Sequence, residues 1–380
     1  MKRRILVTTG TRAEYGILRP LLFGLNNKKI ELFLVVTGTH LSKKHGYTIN
    51  EIKKDGFKIS ASFKMLPRDD TNYSMAVELG KATISFSKIF KKIKPDINLL
   101  IGDRDEMLAS ALAASRMNIP NAHIAGGDKS GGIDEYNRHA ITKLSNIHFA
   151  ATQKSKERIL KMGEDPKHVF HPGSLNIDEL RQKRISNKRE IQQKYGLKLT
   201  GNEIILIQHP LTTDTKSMTK QIINTLNAVI KTSKPVIAIA PNSDAGGRQM
   251  LSILRKFSSK YKNFKLYPTF PRQDYLGLLK YGGVLVGNSS SGIIEASYFD
   301  IPVINIGLRQ KNREKGKNIY DVRGESSDAI FKTLIRAYKE KGLVKANNHV
   351  YGDGNTAVKI VNILEKIKLD QRLIQKQIMY

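Results

Sequence analysis

The hydrophobic pattern of the chain switches repeatedly between two periods. Short, nearly continuous apolar runs alternate with longer stretches in which apolar positions recur every three or four residues. Ile5-Leu6-Val7-Thr8-Thr9 is the first run. Gly10-Thr11-Arg12-Ala13-Glu14-Tyr15-Gly16 follows, and Ile17, Leu18, Leu21, Leu22 and Leu25 then recur at helical spacing. Strand, Gly/Thr turn and helix in that order open a doubly wound domain. The same alternation predicts strands over 32–36, 57–63, 97–101, 121–125 and 147–151. Helices are predicted over 74–93 and 105–117 and from about Asp134. Residues 64–73 are polar and contain Pro67, which predicts a loop. Such alternation means a parallel sheet covered by helices on both faces.

The pattern then restarts. Arg181 to Lys194 is charge-dense and helical, fit for a connector. Beyond it, strands are expected over 204–208, 236–240, 284–286 and 302–306. Helices are expected over 216–230 and 326–340 and from Thr356 to about Ile367. The fold class is therefore α/β, with two Rossmann-like domains and a cleft between them. We place the first over residues 1–180, the second over 181–355, and a C-terminal helix and tail over 356–380. A length of 380 residues suits two middling domains better than one core.

Composition narrows the function. Hydrophobic residues at 40% and charged residues at 26% describe a globular chain. The absence of cysteine excludes disulfides, thiolate metal ligands and cysteine nucleophiles. The basic start, Met1-Lys2-Arg3-Arg4, precedes an apolar run too short for a signal peptide, and no stretch approaches a membrane span. The expectation is a cytoplasmic protein without a membrane partner. The net charge of +30 raises nucleic acid as a partner. However, the lysines fall in scattered pairs such as Lys28-Lys29 and Lys91-Lys92, never in a block interleaved with aromatics. We expect a solvated lysine-rich surface and no nucleic-acid partner. Such a surface also favours an anionic substrate.

Candidate chemistry collects where predicted strands end. Gly287-Asn288-Ser289-Ser290-Ser291-Gly292 opens a helix, and its hydroxyls and free amides suit phosphate oxygens. Glu295, about one turn on, is spaced to accept from a ribose diol. An N-cap serine with a capping carboxylate is the plainer alternative. His209 and Asn242 each follow a strand, and Arg309 offers a bidentate grip on phosphate. Arg12, at the head of a helix, meets an anion or is a surface arginine. The first half carries an acidic and imidazole-rich set: Asp103, Asp128, Asp134, Glu135, His40, His123 and His139. Their spacing matches no metal site. They suit general acid/base work on a sugar, or else Arg104, Arg138 or Lys143 ties them into ion pairs.

These residues stand in ordered motifs. They are Gly-Thr-Arg-Ala-Glu-Tyr-Gly (10–16), Gly-Asp-Arg (102–104), His-Ile-Ala-Gly-Gly-Asp (123–128), Ile-Asp-Glu (133–135) and Arg-His-Ala-Ile-Thr-Lys-Leu (138–144), then Gln-His-Pro-Leu-Thr-Thr-Asp (208–214), Gly-Asn-Ser-Ser-Ser-Gly (287–292) and Tyr-Gly-Asp-Gly-Asn (351–355). The chain thereby resembles the hydrolysing UDP-N-acetylglucosamine 2-epimerases of the sialic-acid and legionaminic-acid type, from about residue 4 to residue 368. The resemblance implies a GT-B-type arrangement with the active site in the interdomain cleft, and a homodimer or homotetramer. It implies a UDP-sugar substrate and no metal or cofactor. UDP leaves by elimination to a 2-acetamidoglycal, and water then adds to release N-acetylmannosamine. By motif, Asp103 and Asp134 are the acid/base candidates. Arg12, His209, Ser289, Ser290 and Arg309 hold the diphosphate, Glu295 holds the ribose, and His40 and His123 line the sugar site. The family's sialic-acid enzymes usually carry His-Ile-Glu-Gly-Gly-Glu, where this chain has Ala125. Either Asp128 takes that duty or the sugar differs. Relatives acting on UDP-N,N'-diacetylbacillosamine also lack that glutamate. A GT-B glycosyltransferase and a non-hydrolysing epimerase are the rival activities.

Overall fold

A computed structural model describes residues 2–379 apart from 67, 68, 70, 130–132, 182–184, 211–214, 243–245 and 345–349. Leu211 to Asp214 of one motif, and Pro67 and Asp70 of the expected loop, thus lie outside the described residues. The chain forms two compact units. One gathers Met1–Asp128, Asp134–Glu179 and Tyr351–Tyr380, and the other gathers Lys129–Ile133 and Leu180–Val350.

The first unit holds seven parallel strands: β1 (Arg3–Thr9), β2 (Ile30–Val36), β3 (Ile59–Ser62), β4 (Ile97–Ile101), β5 (Asn121–Ile124), β6 (Ile147–Phe149) and β7 (Val169–Phe170). Their order is β3-β2-β1-β4-β5-β6-β7. The chain winds outward from β1 in one direction and then restarts at β4 on its other side, so the switch point lies between β1 and β4. The central strands send buried apolar residues to both helix layers, Ile5, Leu6 and Val7 of β1 and Leu99, Leu100 and Ile101 of β4 among them, as two-sided coverage demands. Helix Arg12–Leu25 starts at Thr11, whose hydroxyl accepts the Glu14 N–H. Its Leu18, Leu21, Leu22 and Leu25 are buried in one core with Ala357, Ile360, Val361 and Leu364 of helix Thr356–Lys366. Each such leucine contributes roughly 1.5–3 kcal/mol.

The second unit repeats the plan with six parallel strands: β8 (Ile204–Ile207), β9 (Val236–Ile239), β10 (Phe264–Tyr267), β11 (Val284–Gly287), β12 (Val303–Ile306) and β13 (Ile319–Val322). The order β10-β9-β8-β11-β12-β13 puts its switch point between β8 and β11. There Gly287 pairs with Ile207, so the two strands end level.

Some elements differ from the sequence expectation. Of the connector expected over Arg181–Lys194, the described helix is Lys188–Tyr195, opened by a capping box between Asn187 and Glu190, while Arg181 ends a helix that starts at Leu175. Strands β7, β10 and β13, and helices Gln153–Lys161, Gly247–Lys260 and Arg272–Tyr281, were not anticipated. Residues 351–355 group with the first unit rather than the second, as does the helix that follows. Among the described residues no helix is long and apolar enough to cross a membrane.

Candidate functional site

In doubly wound sheets, ligands are taken up beyond the carboxyl ends of the strands at the switch point. In each unit the charged motifs stand at that place. In the second unit His209 follows β8, and the Gly287–Gly292 segment leaves β11. Gly287 adopts a φ of +134°, and a Cβ there would lie 1.8 Å from the Ile207 carbonyl oxygen. Only glycine fits. The buried Asn288 side chain accepts the His209 N–H at 2.7 Å and donates to the His209 carbonyl at 2.9 Å. Its own carbonyl receives Gln310 Nε2 at 3.0 Å and Arg309 Nη1 at 3.3 Å. One asparagine thereby joins the loops after β8, β11 and β12.

His209 Nδ1 accepts the Asn242 backbone N–H at 3.1 Å, which joins the loop after β9 as well. A backbone amide only donates, so the neutral ring carries its proton on Nε2. Burial, and then the nearby Arg309 guanidinium, push this imidazole down to about 3, so it is neutral at physiological pH. Ser289 caps helix Ser290–Tyr298, accepting the Ser291 N–H, and its hydroxyl lies 3.1 Å from that of Ser291. Ser290 is the first helical residue. The capping-box alternative does not hold, because Glu295 lies a further turn along and pairs with Arg272 at 2.6 Å. His209, Asn242, Ser289 and Arg309 are thus assembled at one sheet edge, with neutral donors, a helix N-terminus and a guanidinium suited to an anion.

In the first unit Asp103 follows β4. The Arg138 guanidinium pairs with its carboxylate and also donates to the Asp128 carbonyl at 3.3 Å. Arg138 is only 3% exposed. It therefore ties the end of β4, the turn after β5 and helix Ile133–Leu144, whose first turn carries Asp134. Asn137 of the same helix donates to Asp105 at 2.8 Å. The ion-pair alternative holds for Arg138, which takes Asp103, whereas Arg104 and Lys143 take carboxylates outside that set, Glu106 at 3.1 Å and Glu164 at 2.6 Å. Ala125, at the end of β5, adopts a φ of +62°. An alanine held in that left-handed region is a strained position of the kind that clusters at functional sites.

Two histidines expected beside the sugar are enclosed in the first unit. His123 is fully buried, with Nε2 on the Gly102 carbonyl at 2.7 Å and Nδ1 on the Thr142 hydroxyl at 3.2 Å. His40 is equally buried between the hydroxyls of Thr9 at 3.1 Å and Thr48 at 2.7 Å. Burial pushes them down to about 3 and about 4. Both ring nitrogens of each are thus engaged inside the unit. Their part is to hold the strand ends beside Asp103 and Gly10. Arg12, at the head of its helix, is engaged by Glu51 at 2.6 Å.

Sequence reasoning missed a carboxyl pair at Gly10. Glu14 accepts the Gly10 N–H at 2.9 Å, and a Cβ on Gly10 would lie 2.6 Å from Glu106 Oε1. Burial, and then the Glu106 charge, push Glu14 up to about 8. The signal was visible in Glu14, four residues after the glycine of the first motif. Arg272 and Tyr275, which brace the serine loop, carry no motif signal. Among the described residues no group of three or more His, Asp or Glu could hold a metal ion.

The family described as UDP-N-acetylglucosamine 2-epimerase matches residues 25–365. A UDP-N,N'-diacetylbacillosamine 2-epimerase (hydrolyzing) of Legionella pneumophila is 37% identical over 377 residues, 99% of both chains. A GDP/UDP-N,N'-diacetylbacillosamine 2-epimerase (hydrolyzing) of Campylobacter jejuni is 36% identical over 338 residues, 88% of each. A solved UDP-GlcNAc 2-epimerase from Neisseria meningitidis, bound to UDP-GlcNAc, superposes with a TM-score of 0.79 at 20% identity. The match covers 96% of this chain and 100% of that one. That likeness shows the fold, the GT-B-type pair of doubly wound domains. With the family matched over most of its length and full-length relatives above one-third identity, this chain belongs to the UDP-N-acetylglucosamine 2-epimerase family.

Proposed function

We propose that the protein is a hydrolysing UDP-sugar 2-epimerase whose substrate is UDP-N,N'-diacetylbacillosamine. The observation that carries this reading is the 37% identity, over 99% of both chains, to a Legionella enzyme named for that reaction. Ala125 supports it, since the sialic-acid enzymes this chain resembles usually keep a glutamate there.

In the proposed reaction a carboxylate removes the C2 proton while the C1–O bond to UDP breaks, giving UDP and a 2-acetamidoglycal. Water then delivers its oxygen to C1, and C2 takes a proton on its other face. Asp103, Asp128 and Asp134 share the proton traffic, with Arg138 fixing their loops. The diphosphate is taken by Arg12, His209, Asn242, Ser289, Ser290 and Arg309, whose fixed donors stabilise the departing charge. Glu295 takes the ribose. The enzyme works as a homodimer or homotetramer in the cytoplasm.

The test is an NMR time course with UDP-N,N'-diacetylbacillosamine and, separately, UDP-N-acetylglucosamine, with no acceptor present. Free UDP and a free 2-epimerised sugar from the first compound are expected. Turnover of UDP-N-acetylglucosamine alone, yielding N-acetylmannosamine, assigns the sialic-acid substrate instead. A 2-epimer still joined to UDP means a non-hydrolysing epimerase, and no turnover of either compound removes the reading.

A further inference from the structure

The first turn of helix Arg272–Tyr281 places two side chains against the serine loop of the second unit. Arg272 Nη2 lies 2.6 Å from Glu295 Oε1, with the two side chains 15% and 2% exposed. Three residues on, the Tyr275 hydroxyl bonds that of Ser291. Burial, and then the Glu295 charge, push this phenol well above its usual range, so it stays protonated. Asp274 between them anchors the turn elsewhere. It accepts the Ser186 hydroxyl at 2.5 Å, Lys194 Nζ at 2.6 Å and the Tyr195 hydroxyl. The helix is thus fixed on one side and braces Glu295 and Ser291 on the other.

A carboxylate buried this deeply is costly unless a cation accompanies it. Arg272 is that cation. It holds Glu295 in one orientation, one turn into a helix whose N-terminus suits phosphate. A carboxylate so placed is a strong acceptor for the two hydroxyls of a ribose, as in other doubly wound nucleotide sites. A carboxyl turned away from that direction loses the advantage.

We propose that Arg272 is a positioning residue that, through Glu295, makes the second unit select ribonucleotides over deoxyribonucleotides. The inference rests on the reading of this unit as the UDP-holding one. Its readout is the ratio of affinities for UDP and 2'-deoxy-UDP, which loss of general integrity does not move.

The experiment is calorimetric titration of both nucleotides into the full chain and its Arg272→Met, Arg272→Gln and Arg309→Ala variants. The wild type is expected to bind UDP at least tenfold more tightly than 2'-deoxy-UDP. In Arg272→Met, UDP affinity falls at least tenfold and 2'-deoxy-UDP affinity far less, so the ratio approaches one. Arg272→Gln, smaller and able to donate to Glu295, gives the same direction if the methionine variant does not fold. An unchanged ratio in a folded Arg272 variant, or equal losses for both nucleotides, overturns the inference. If Arg309→Ala weakens UDP meanwhile, the reading of the unit survives. A wild type that binds no UDP, or an Arg309→Ala variant that binds it undiminished, overturns both.

Discussion

Asn288 and His209 grip each other twice, the asparagine amide accepting the histidine N–H at 2.7 Å and donating to its carbonyl at 2.9 Å. Both lie just beyond strand ends at the switch point of the second sheet. The clasp satisfies a backbone pair at the place where adjacent strands part and no ladder partner is left. It also sets the imidazole at the height of the serine loop.

Asn288→Ala leaves the His209 N–H and carbonyl without these partners. We expect a stability loss of about 1–3 kcal/mol, the cost of buried unsatisfied groups. UDP affinity should fall with it, because His209 and Arg309 both bear on this residue. Urea unfolding and UDP titration of the variant measure the two effects, and a variant with neither shows the clasp to be incidental.

Gly287→Ala is a harsher change. The new methyl would meet the Ile207 carbonyl at 1.8 Å, at a φ of +134° that alanine avoids. The β8–β11 pairing must open to admit it. Recovery of soluble protein and its melting temperature should both drop sharply, and a wild-type melting curve would show that the turn yields more easily than its geometry implies.

Glu14→Gln tests the buried carboxyl. Burial and Glu106 raise the folded Glu14 to about 8 from an ordinary 4.5, so the folded state prefers the proton. Its contribution is fully present below about pH 4.5 and is lost as pH rises through about 8. Glutamine keeps the shape and an acceptor for Gly10 N–H and does not titrate. The variant should therefore gain on the wild type from pH 5 to pH 8, by at most ~1.4 kcal/mol per pH unit, and then hold level. Denaturation at pH 5, 7 and 8.5 shows this, and parallel curves would refute the assignment.

Asp103→Asn keeps the size of the side chain and removes its charge beside Arg138. With Asp103 in acid/base work, turnover should fall by orders of magnitude while UDP affinity stays near wild type. Stopped assays and UDP titration separate the two. Turnover near wild type would take Asp103 out of the chemistry.

The doubly wound plan was legible because its central strands are dominated by apolar residues, and β4 matches its expected bounds of 97–101. The edge strands were not. In β13 the sequence Ile-Tyr-Asp-Val mixes polar and apolar positions, and β7 is two residues long. At the site, Asp103 and the serine loop were legible because glycines and charges interrupt apolar strands. The burial of His40 and His123 was not, because hydroxyl partners such as Thr48 and Thr142 come from other elements. Arg272 was invisible for the same reason: its partner Glu295 lies 23 residues on, at no recognisable spacing.

The core of the first unit has one wall built from the far end of the chain. Leu18, Leu21 and Leu22 rest in one cluster with Ile360, Val361 and Leu364, and Asp178 accepts the N–H groups of Thr356 at 2.9 Å and Ala357 at 2.6 Å. On the ribosome, those leucines emerge more than 300 residues before their partners. Domains ordinarily mature in the order in which they are made. Here the N-terminal unit must wait, exposed along that flank, until the other has been synthesised through. The unit made last can be the one finished first, and the chaperone demand of a growing chain should centre on helix Arg12–Leu25.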